Sequence, residues 1–168
     1  MFNKIEKLSE TEFTEVFGNI FENSSWIAEI LYGQKPFKNF KDLSKKMISI
    51  FEGTDSQNKL KILNSHPDLA DKIKIGSLTS DSKLEQSNAG LDQCTEKEFN
   101  EFKNLNTEYK TKFGFPFIIA VKGRNKLEIL VNFKRRVLSD KKVEFHEAKR
   151  QVKQIASLRL EELKNKFL

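Results

Sequence analysis

The chain has 168 residues, of which 38% are hydrophobic and 32% are charged. This length and balance are typical of a folded domain with a substantial core, and they exclude an intrinsically disordered chain. The formal net charge is +6, but the basic residues are scattered and interleaved with acidic ones, apart from the short run Lys134-Arg135-Arg136. This distribution does not favour a nucleic-acid partner, and the attraction of an anionic metabolite explains the charge at least as well.

Cysteine content and apolar segments narrow the class of protein further. Cys94 is the only cysteine, so an intramolecular disulfide is excluded and a cysteine-based metal site is not expected. The first ten residues lack the apolar segment of a secretory signal, and no apolar stretch approaches the roughly 20 residues that a membrane-spanning helix needs. We therefore expect a soluble, cytoplasmic protein.

Apolar residues near the N-terminus recur at steps of three and four, and this spacing predicts helices. The first helix follows a capping box formed by Ser9 and Glu12, and its apolar stripe contains Phe13, Val16, Phe17, Ile20 and Phe21. A second short helix follows Asn23-Ser24-Ser25 and carries Trp26, Ile27, Ile30 and Leu31.

Glycine and proline separate the next predicted elements. Gly33 to Phe37 reads as a connector, and the stripe after it ends at Gly53 and contains Leu43, Met47, Ile50 and Phe51. The helix that carries Leu60 and Leu63 must end near Ser65, because Pro67 disfavours helical geometry at His66.

The second half of the chain is also predicted to be helical. Capping boxes place helix starts at three residue pairs: Ser82 with Glu85, Thr95 with Glu98, and Asn125 with Glu128. Gly114 and Pro116 break the helix between the last two, and Ser139-Asp140 opens the final helix. No period-two pattern persists. The predicted fold is therefore all-α, a single compact domain of residues 1–168 with about eight helices, several of them short.

His66 is the first candidate for chemistry. It lies between a predicted helix end and Pro67, and histidine is the side chain that titrates naturally near neutral pH. The alternative is that His66 only stabilises a helix C-terminus through the helix dipole. The other histidine, His146, lies in a charged helical stretch and is predicted to be a surface residue.

Two further places carry polar groups suited to a small ligand. Glu85 and Gln86 offer adjacent acceptors and donors that match urea-like N–H and C=O groups, although Glu85 could simply close the capping box with Ser82. Arg159 interrupts the apolar stripe of the last helix, where a guanidinium must meet an anion. That anion is either a substrate carboxylate, held bidentately, or a protein carboxylate. This inventory suits proton chemistry on a small polar anion, but it does not name the reaction.

An ordered set of motifs resembles the OHCU (2-oxo-4-hydroxy-4-carboxy-5-ureidoimidazoline) decarboxylase family, and the resemblance spans essentially the whole chain. The motifs are His66-Pro67-Asp68-Leu69-Ala70; Ser82-x-x-Glu85-Gln86 with Ala89-Gly90-Leu91; Asn106-x-x-Tyr109-x-x-Lys112-Phe113-Gly114-Phe115-Pro116-Phe117-Ile118; Val121-Lys122-Gly123-Arg124; and Ile155-Ala156-x-Leu158-Arg159-Leu160.

The resemblance implies an all-α homodimer that decarboxylates OHCU to (S)-allantoin without a cofactor or metal. By matching position, His66 is implied as the catalytic acid/base, Glu85 and Gln86 as contacts to the ureido and ring groups, and Arg159 as the ligand of a polar substrate group. The implied pocket lining comprises Pro67, Ser82 and the backbone of Ile118, Ile119 and Ala120.

Other functions stay open at this point. The chain could be a divergent relative that acts on another ureido acid, or a basic helical module that binds nucleic acid. It could also be a catalytically silent helical partner protein, in which Arg159 forms only a buried salt bridge.

Overall fold

The computed structural model of the chain describes residues 2–71 and 79–167. These residues form nine α-helices, one 3-10 helix (Leu91–Gln93) and no strand, which confirms the all-α prediction. The helices are α1 (Phe2–Glu6), α2 (Glu10–Phe17), α3 (Trp26–Tyr32), α4 (Phe40–Gly53), α5 (Ser56–Asn64), α6 (Ser80–Asn88), α7 (Glu96–Phe113), α8 (Lys126–Val137) and α9 (Lys141–Phe167). None of these helices combines the length and apolar character that crossing a membrane requires.

The chain divides into two compact units. Unit 1 comprises Met1–Ser65 and Val152–Leu168, and unit 2 comprises His66–Gln151. In unit 1, α3 packs against both α2 and α4, and aromatic rings fill much of the core: Phe13, Phe17, Phe21, Phe37 and Phe51. The assignment of residues 1–168 to a single domain stays a prediction.

Helix α2 is shorter than its apolar stripe suggested. It ends at Phe17, and the Gly18 N–H donates to the Thr14 carbonyl at 2.7 Å. The chain then turns, and Ile20 and Phe21 enter the core from this turn rather than from the helix. The apolar spacing therefore marked four buried residues and the half-buried Val16, but it did not mark the end of the helix, because a turn can bury side chains at the same intervals.

Unit 2 is built around α7, which packs against α8. Its core is rich in buried aromatic residues, and the rings of Phe117 and Phe133 stack with centroids 3.9 Å apart. Gly114 ends α7 with a φ of +81°, a left-handed conformation that favours glycine. The segment from Phe115 to Val121 is neither helix nor strand, and all of it is buried.

The capping boxes at Ser9, Thr95 and Asn125 are confirmed. The box predicted at Ser82 and Glu85 is wrong, because α6 begins one turn earlier, at Ser80. Thr79 is the N-cap residue, and its Oγ1 accepts from the Ser82 N–H at 3.3 Å. Threonine and serine cap helices through the same hydroxyl chemistry, so the sequence alone did not distinguish two candidates three residues apart.

Candidate active site

His66 follows the end of α5 in the chain. As predicted, this helix stops at Asn64, and the Ser65 N–H closes it by donating to the Lys61 and Ile62 carbonyls at 3.0 and 3.1 Å. Residues 66–70, here called the His66 loop, are not helical, and both His66 and Pro67 are partly exposed. His146 is exposed on α9, as predicted.

Gln86 joins α6 to the His66 loop. Its side chain is buried, with 5% of the residue exposed. The Oε1 atom accepts from the Ala70 N–H at 3.1 Å, and Nε2 donates to the Asp68 carbonyl at 3.2 Å. The structure therefore brings the loop with His66 and Pro67 together with the helix that carries Ser82, Glu85 and Gln86. Ser82 is buried in the first turn of α6, and Glu85 is partly exposed.

The His66 loop contains a strained residue. Ala70 has a φ of +55° and is 1% exposed. The left-handed conformation costs an L-residue about 1–2 kcal/mol, and it persists only where surrounding contacts enforce it. The bond to Gln86 is one such contact. Asn106 on α7 provides another, because its Nδ2 donates to the carbonyl of the preceding residue, Leu69, at 3.0 Å.

The segment Ile118 to Ala120, which we predicted to line the pocket, is held through its backbone. Arg136 Nη1 donates to the Ile118 carbonyl at 2.8 Å, and Arg124 Nε donates to the Ala120 carbonyl at 3.2 Å. Gln151 Oε1 accepts from the Ala120 N–H at 2.9 Å. Three side chains thus fix a stretch that has no helical hydrogen bonds of its own. Arg136 comes from α8, Gln151 from α9, and Arg124 from the turn that precedes α8.

Ile119 differs from its two neighbours. It is 4% exposed, yet within residues 2–71 and 79–167 no group hydrogen-bonds to its N–H or its carbonyl. Buried backbone groups are nearly always paired with protein, water or ligand. The Ile119 peptide groups are therefore available to a polar molecule that enters this part of unit 2.

A buried ionic network supports this segment. Arg136 and Glu144 form a salt bridge at 2.9 Å, and the Tyr109 hydroxyl donates to the same carboxylate. Burial, followed by the hydrogen bond to Glu144, raises the pKa of Tyr109, so its hydroxyl stays a neutral donor. The guanidinium also lies over the Phe117 ring, 4.4 Å from its centroid.

Sequence analysis missed this network. Arg136 belongs to the basic run Lys134-Arg135-Arg136, which suggests a solvated surface, and Glu144 lies in a charged stretch of α9. Arg136 follows the buried Phe133 by three residues and Asn132 by four, and this spacing alone was too weak to predict that Arg136 is buried. Asn106 and Gln151 were also missed as supporting residues, because the backbone groups that they bind are distant in sequence.

Helix α7 connects the two predicted substrate-facing segments. Asn106 binds the His66 loop, and Tyr109, three residues later, binds Glu144 in the network that holds Ile118. Residues three apart lie on the same side of a helix. One side of α7 therefore supports both segments.

Arg159 lies in unit 1. Its Nη2 atom pairs with Glu22 at 3.0 Å, and Nη1 donates to the Asn19 carbonyl at 3.0 Å. Both charged side chains are almost fully buried. The expectation that this guanidinium meets an anion is confirmed, and Glu22 supplies that anion. The role of Arg159 in holding substrate stays a prediction.

A cavity of about 370 Å³ lies beside the His66 loop. It is lined by loop residues and by one side of α7, namely Asp68, Leu69, Ala70, Asp71, Phe99, Lys103, Asn106, Thr107, Lys110 and Thr111. These lining residues include none of the predicted catalytic or binding residues. Across the described residues, no three His, Cys, Asp or Glu side chains are grouped as metal ligands would be.

Residues 6–161 match the family model described as OHCU decarboxylase. The chain is 35% identical to the 2-oxo-4-hydroxy-4-carboxy-5-ureidoimidazoline decarboxylase of Haloferax volcanii, with 95% of this chain and 93% of the relative aligned. It is 39% identical to the uric acid degradation bifunctional protein of Bacillus sp. (strain TB-90), with 95% of this chain aligned. It spans only 31% of that bifunctional protein.

Solved structures with a similar fold have related names. The structure is similar to that of an (S)-allantoin synthase, with a TM-score of 0.78 and 27% identity over 97% of this chain and 53% of the other. An OHCU decarboxylase crystallised in the presence of (S)-allantoin matches with a TM-score of 0.70. That match has 24% identity and covers 93% of this chain and 98% of the other, so it bears on the fold alone.

Proposed function

The chain belongs to the OHCU decarboxylase family, and from this membership we propose that it converts OHCU to (S)-allantoin and carbon dioxide, without a cofactor, in urate degradation. The observation that carries the proposal is the pair of hydrogen bonds between the Gln86 side chain and the His66 loop, one accepted from the Ala70 N–H and one donated to the Asp68 carbonyl. These bonds join the loop that carries the candidate acid/base to the candidate ureido-binding helix, and this contact supports the proposal.

Substrate binding is proposed to use groups on two elements of unit 2. Glu85 and Gln86 on α6 contact the ureido and ring groups, with Ser82 and Pro67 beside them. The backbone of Ile118 to Ala120 supplies further donors and acceptors. The peptide groups of Ile119, which have no hydrogen-bond partner among residues 2–71 and 79–167, support this role. Arg159 is proposed to hold a polar substrate group, in addition to its contact with Glu22.

The reaction needs control of a proton and of developing charge. When the bond to the carboxylate breaks, carbon dioxide leaves and its electron pair passes to the imidazoline ring. Fixed hydrogen-bond donors stabilise that charge. His66 then manages the proton that arrives on one face of the ring, a role that contributes about 10²–10⁴-fold in rate. Delivery to one face produces a single enantiomer.

Circular dichroism of freshly generated OHCU, with and without the protein, tests the proposal. We expect rapid appearance of the (S)-allantoin signal, and its loss in His66→Ala. Replacement of the exposed His146 by Ala is the matched control and should leave the rate unchanged. Near-normal turnover in His66→Ala, or racemic product from the unaltered protein, would contradict the assignment of His66.

Two outcomes would replace the proposal. If the folded protein fails to accelerate the reaction but turns over another ureido acid in a substrate panel, the chain is a divergent relative. If it instead binds duplex or single-stranded nucleic acid with an affinity that falls steeply with salt, the net charge of +6 serves that partner.

We propose that neither nucleic acid nor membrane is a partner, and that the protein works in the cytoplasm, which cell fractionation would check.

We also propose that the protein is a homodimer. The family resemblance implies a dimer. Exposed apolar residues lie on α8 and at its C-cap, where Leu127, Val131 and the C-cap residue Leu138 are 67%, 60% and 80% exposed. Exposed apolar residues in a row are typical of surfaces that a partner covers. Sedimentation equilibrium should give twice the chain mass, and Val131→Lys should shift the protein towards monomer. A monomer at all concentrations would contradict the proposal.

A further inference from the structure

Two buried side-chain amides hold three consecutive residues of the His66 loop. Gln86 bonds to the Asp68 carbonyl and to the Ala70 N–H, and Asn106 bonds to the Leu69 carbonyl, at 3.2, 3.1 and 3.0 Å. Gln86 and Asn106 are 5% and 7% exposed. We call this pair the amide clamp. It takes the place of the backbone hydrogen bonds that a helix or sheet would supply.

The clamp acts close to His66. Asp68 is two residues from His66, and the residue between them is Pro67, whose ring fixes its own φ. Few rotatable bonds therefore separate the clamped backbone from the imidazole. A shift of the clamped residues moves the imidazole with them.

The loop would not keep this shape without support. Ala70 has a φ of +55°, which is unfavourable for alanine, and both amides bind backbone groups at or next to it. The salt bridge between Lys110 and Asp68 adds a contact at the exposed edge, where Lys110 is 43% exposed. An exposed ion pair of this kind fixes geometry much less firmly than a buried amide.

Asn106 is an unusual choice if stability were its purpose. Its Oδ1 is buried and has no hydrogen-bond partner in the part of the chain that the structure describes. A buried acceptor without a partner is destabilising. Leucine, which has a similar shape, would remove that unpaired atom. The one bond that asparagine gains is the bond to Leu69, in the loop that carries His66.

We propose that Asn106 is a positioning residue, which sets the location of the His66 imidazole for proton transfer through the loop backbone that Gln86 also binds. The inference rests on the proposed role of His66. Asn106 is not proposed to contact a reacting atom. It acts through the Leu69 carbonyl and the backbone of the loop.

The test compares Asn106→Leu and Asn106→Asp with Asn104→Leu and Asn104→Asp. Asn104 lies on the same helix and is exposed, so it provides matched controls. For both Asn106 variants we expect kcat to fall by about 10–100-fold, because misplacement of a catalytic group by about 1 Å has effects of this size. KM should change by less than about threefold, because the groups that bind substrate are untouched. In Asn106→Leu the midpoint of thermal unfolding should stay near that of Asn104→Leu.

A second readout does not depend on activity. The chain has two histidines, so the His66 imidazole signals can be assigned in an NMR spectrum by comparison with His146→Ala. We expect these signals to shift or broaden in the Asn106 variants, and the Ala70 amide to exchange with solvent at least about tenfold faster than in the unaltered protein. Neither change is expected in the Asn104 variants.

Each outcome decides the proposal. An unchanged kcat in a folded Asn106 variant overturns it, as does a fall in kcat that the Asn104 variants share. If neither Asn106 variant folds, the amide maintains the whole fold, and the specific positioning role is also overturned. If the unaltered protein does not turn over OHCU, the proposed function has failed. The NMR and exchange results then decide separately whether the clamp positions His66.

Discussion

Arg159 and Glu22 are separated by 137 positions in the chain and form a buried ion pair in unit 1. Removal of one partner leaves the other charge buried and uncompensated, which typically costs about 3–5 kcal/mol. We therefore expect Glu22→Leu alone to lower the free energy of unfolding by about this amount in urea titrations. The double variant Glu22→Leu/Arg159→Met replaces both charges by apolar groups and should recover most of the loss.

The same double variant separates the two roles of Arg159. If Arg159 only pairs with Glu22, the restored protein should turn over substrate normally. If Arg159 also holds a substrate group, as we propose, the double variant should be stable but defective, with KM raised at least about tenfold. Full activity in a stable double variant would contradict the substrate role and leave the ion pair as the function of Arg159.

The buried hydroxyl of Tyr109 is expected to make the stability of the fold depend on pH above about pH 10. Burial and the hydrogen bond to Glu144 raise the pKa of its hydroxyl above the ordinary value of 10.0. Because the pKa is higher in the folded state than in the unfolded state, this group's contribution to stability is complete below about pH 10 and is lost as the pH rises above it. In a Tyr32→Phe variant, Tyr109 is the remaining tyrosine.

Ultraviolet titration of that variant should show no phenolate signal at about pH 11 while the far-ultraviolet circular dichroism stays helical. The phenolate should appear together with unfolding. Ionisation of Tyr109 in the folded protein near pH 10 would mean that the Glu144 network is open to solvent. The support that Arg136 gives to the Ile118 carbonyl would then be much weaker than its buried geometry implies.

At the scale of elements, α9 contacts the backbone of the Ile118 to Ala120 segment through Gln151, and it supports the segment indirectly through Glu144, the partner of Arg136. Its Nε2 donates to Glu147, one turn earlier, while its Oε1 accepts from the Ala120 N–H. The hydrogen bond from Arg150 is the main reason that the pKa of Glu147 is lowered from 4.5 to about 2. Because the folded pKa is the lower one, the stabilisation is present above about pH 4.5 and is lost as the pH falls towards 2.

Glu147→Gln should therefore lower the free energy of unfolding at neutral pH by about 0.5–1 kcal/mol. The full pKa shift would suggest more, but Arg150 is 56% exposed and the pair is screened by solvent. The difference between the two proteins should shrink as the pH approaches 2, as measured by thermal unfolding over a pH series. A difference that stays constant with pH would show that the carboxylate charge of Glu147 contributes nothing.

The helices were largely predictable because their determinants are local. The reciprocal hydrogen bonds at Ser9 and Glu12 span three residues, and Pro67 lies only three residues beyond Asn64, the last residue of α5. The predicted start of α6 was wrong because Thr79 and Ser82, which lie three residues apart, can cap a helix through the same hydroxyl chemistry. Local rules select the type of element, but competition between equivalent caps selects its first residue.

Short motifs in the sequence propose reactive residues for the candidate site, namely His66, Glu85 and Gln86, and these roles stay predictions. The side chains that support the site were not predictable. Gln151 reaches Ala120 from 31 positions away, and Asn106 reaches Leu69 from 37. Side-chain bonds to a distant irregular backbone leave no periodic pattern, since each depends on how the helices pack.

At the scale of the whole molecule, each unit contains one residue that can report on its unfolding: a tryptophan, by fluorescence, in unit 1 and a cysteine, by thiol reactivity, in unit 2. Trp26, the single tryptophan, lies at the start of α3 in unit 1. Cys94, the single cysteine, is buried in unit 2 just after the 3-10 helix. Helix α9 is continuous, and its residues on either side of the Gln151–Val152 boundary belong to different units. Each unit can therefore be followed without added labels.

We propose that the two units fold as a single domain, because a break at the boundary would require α9 to lose helical hydrogen bonds in mid-helix, where propagation is favourable. In urea, the fluorescence of Trp26 and the reactivity of Cys94 towards a thiol reagent should change with the same midpoint and the same slope. Helical circular dichroism should follow both. If Cys94 became reactive at a lower urea concentration than that at which Trp26 responds, unit 2 would unfold independently. The proposed catalytic loop and Arg159 would then belong to separately folding parts of the chain.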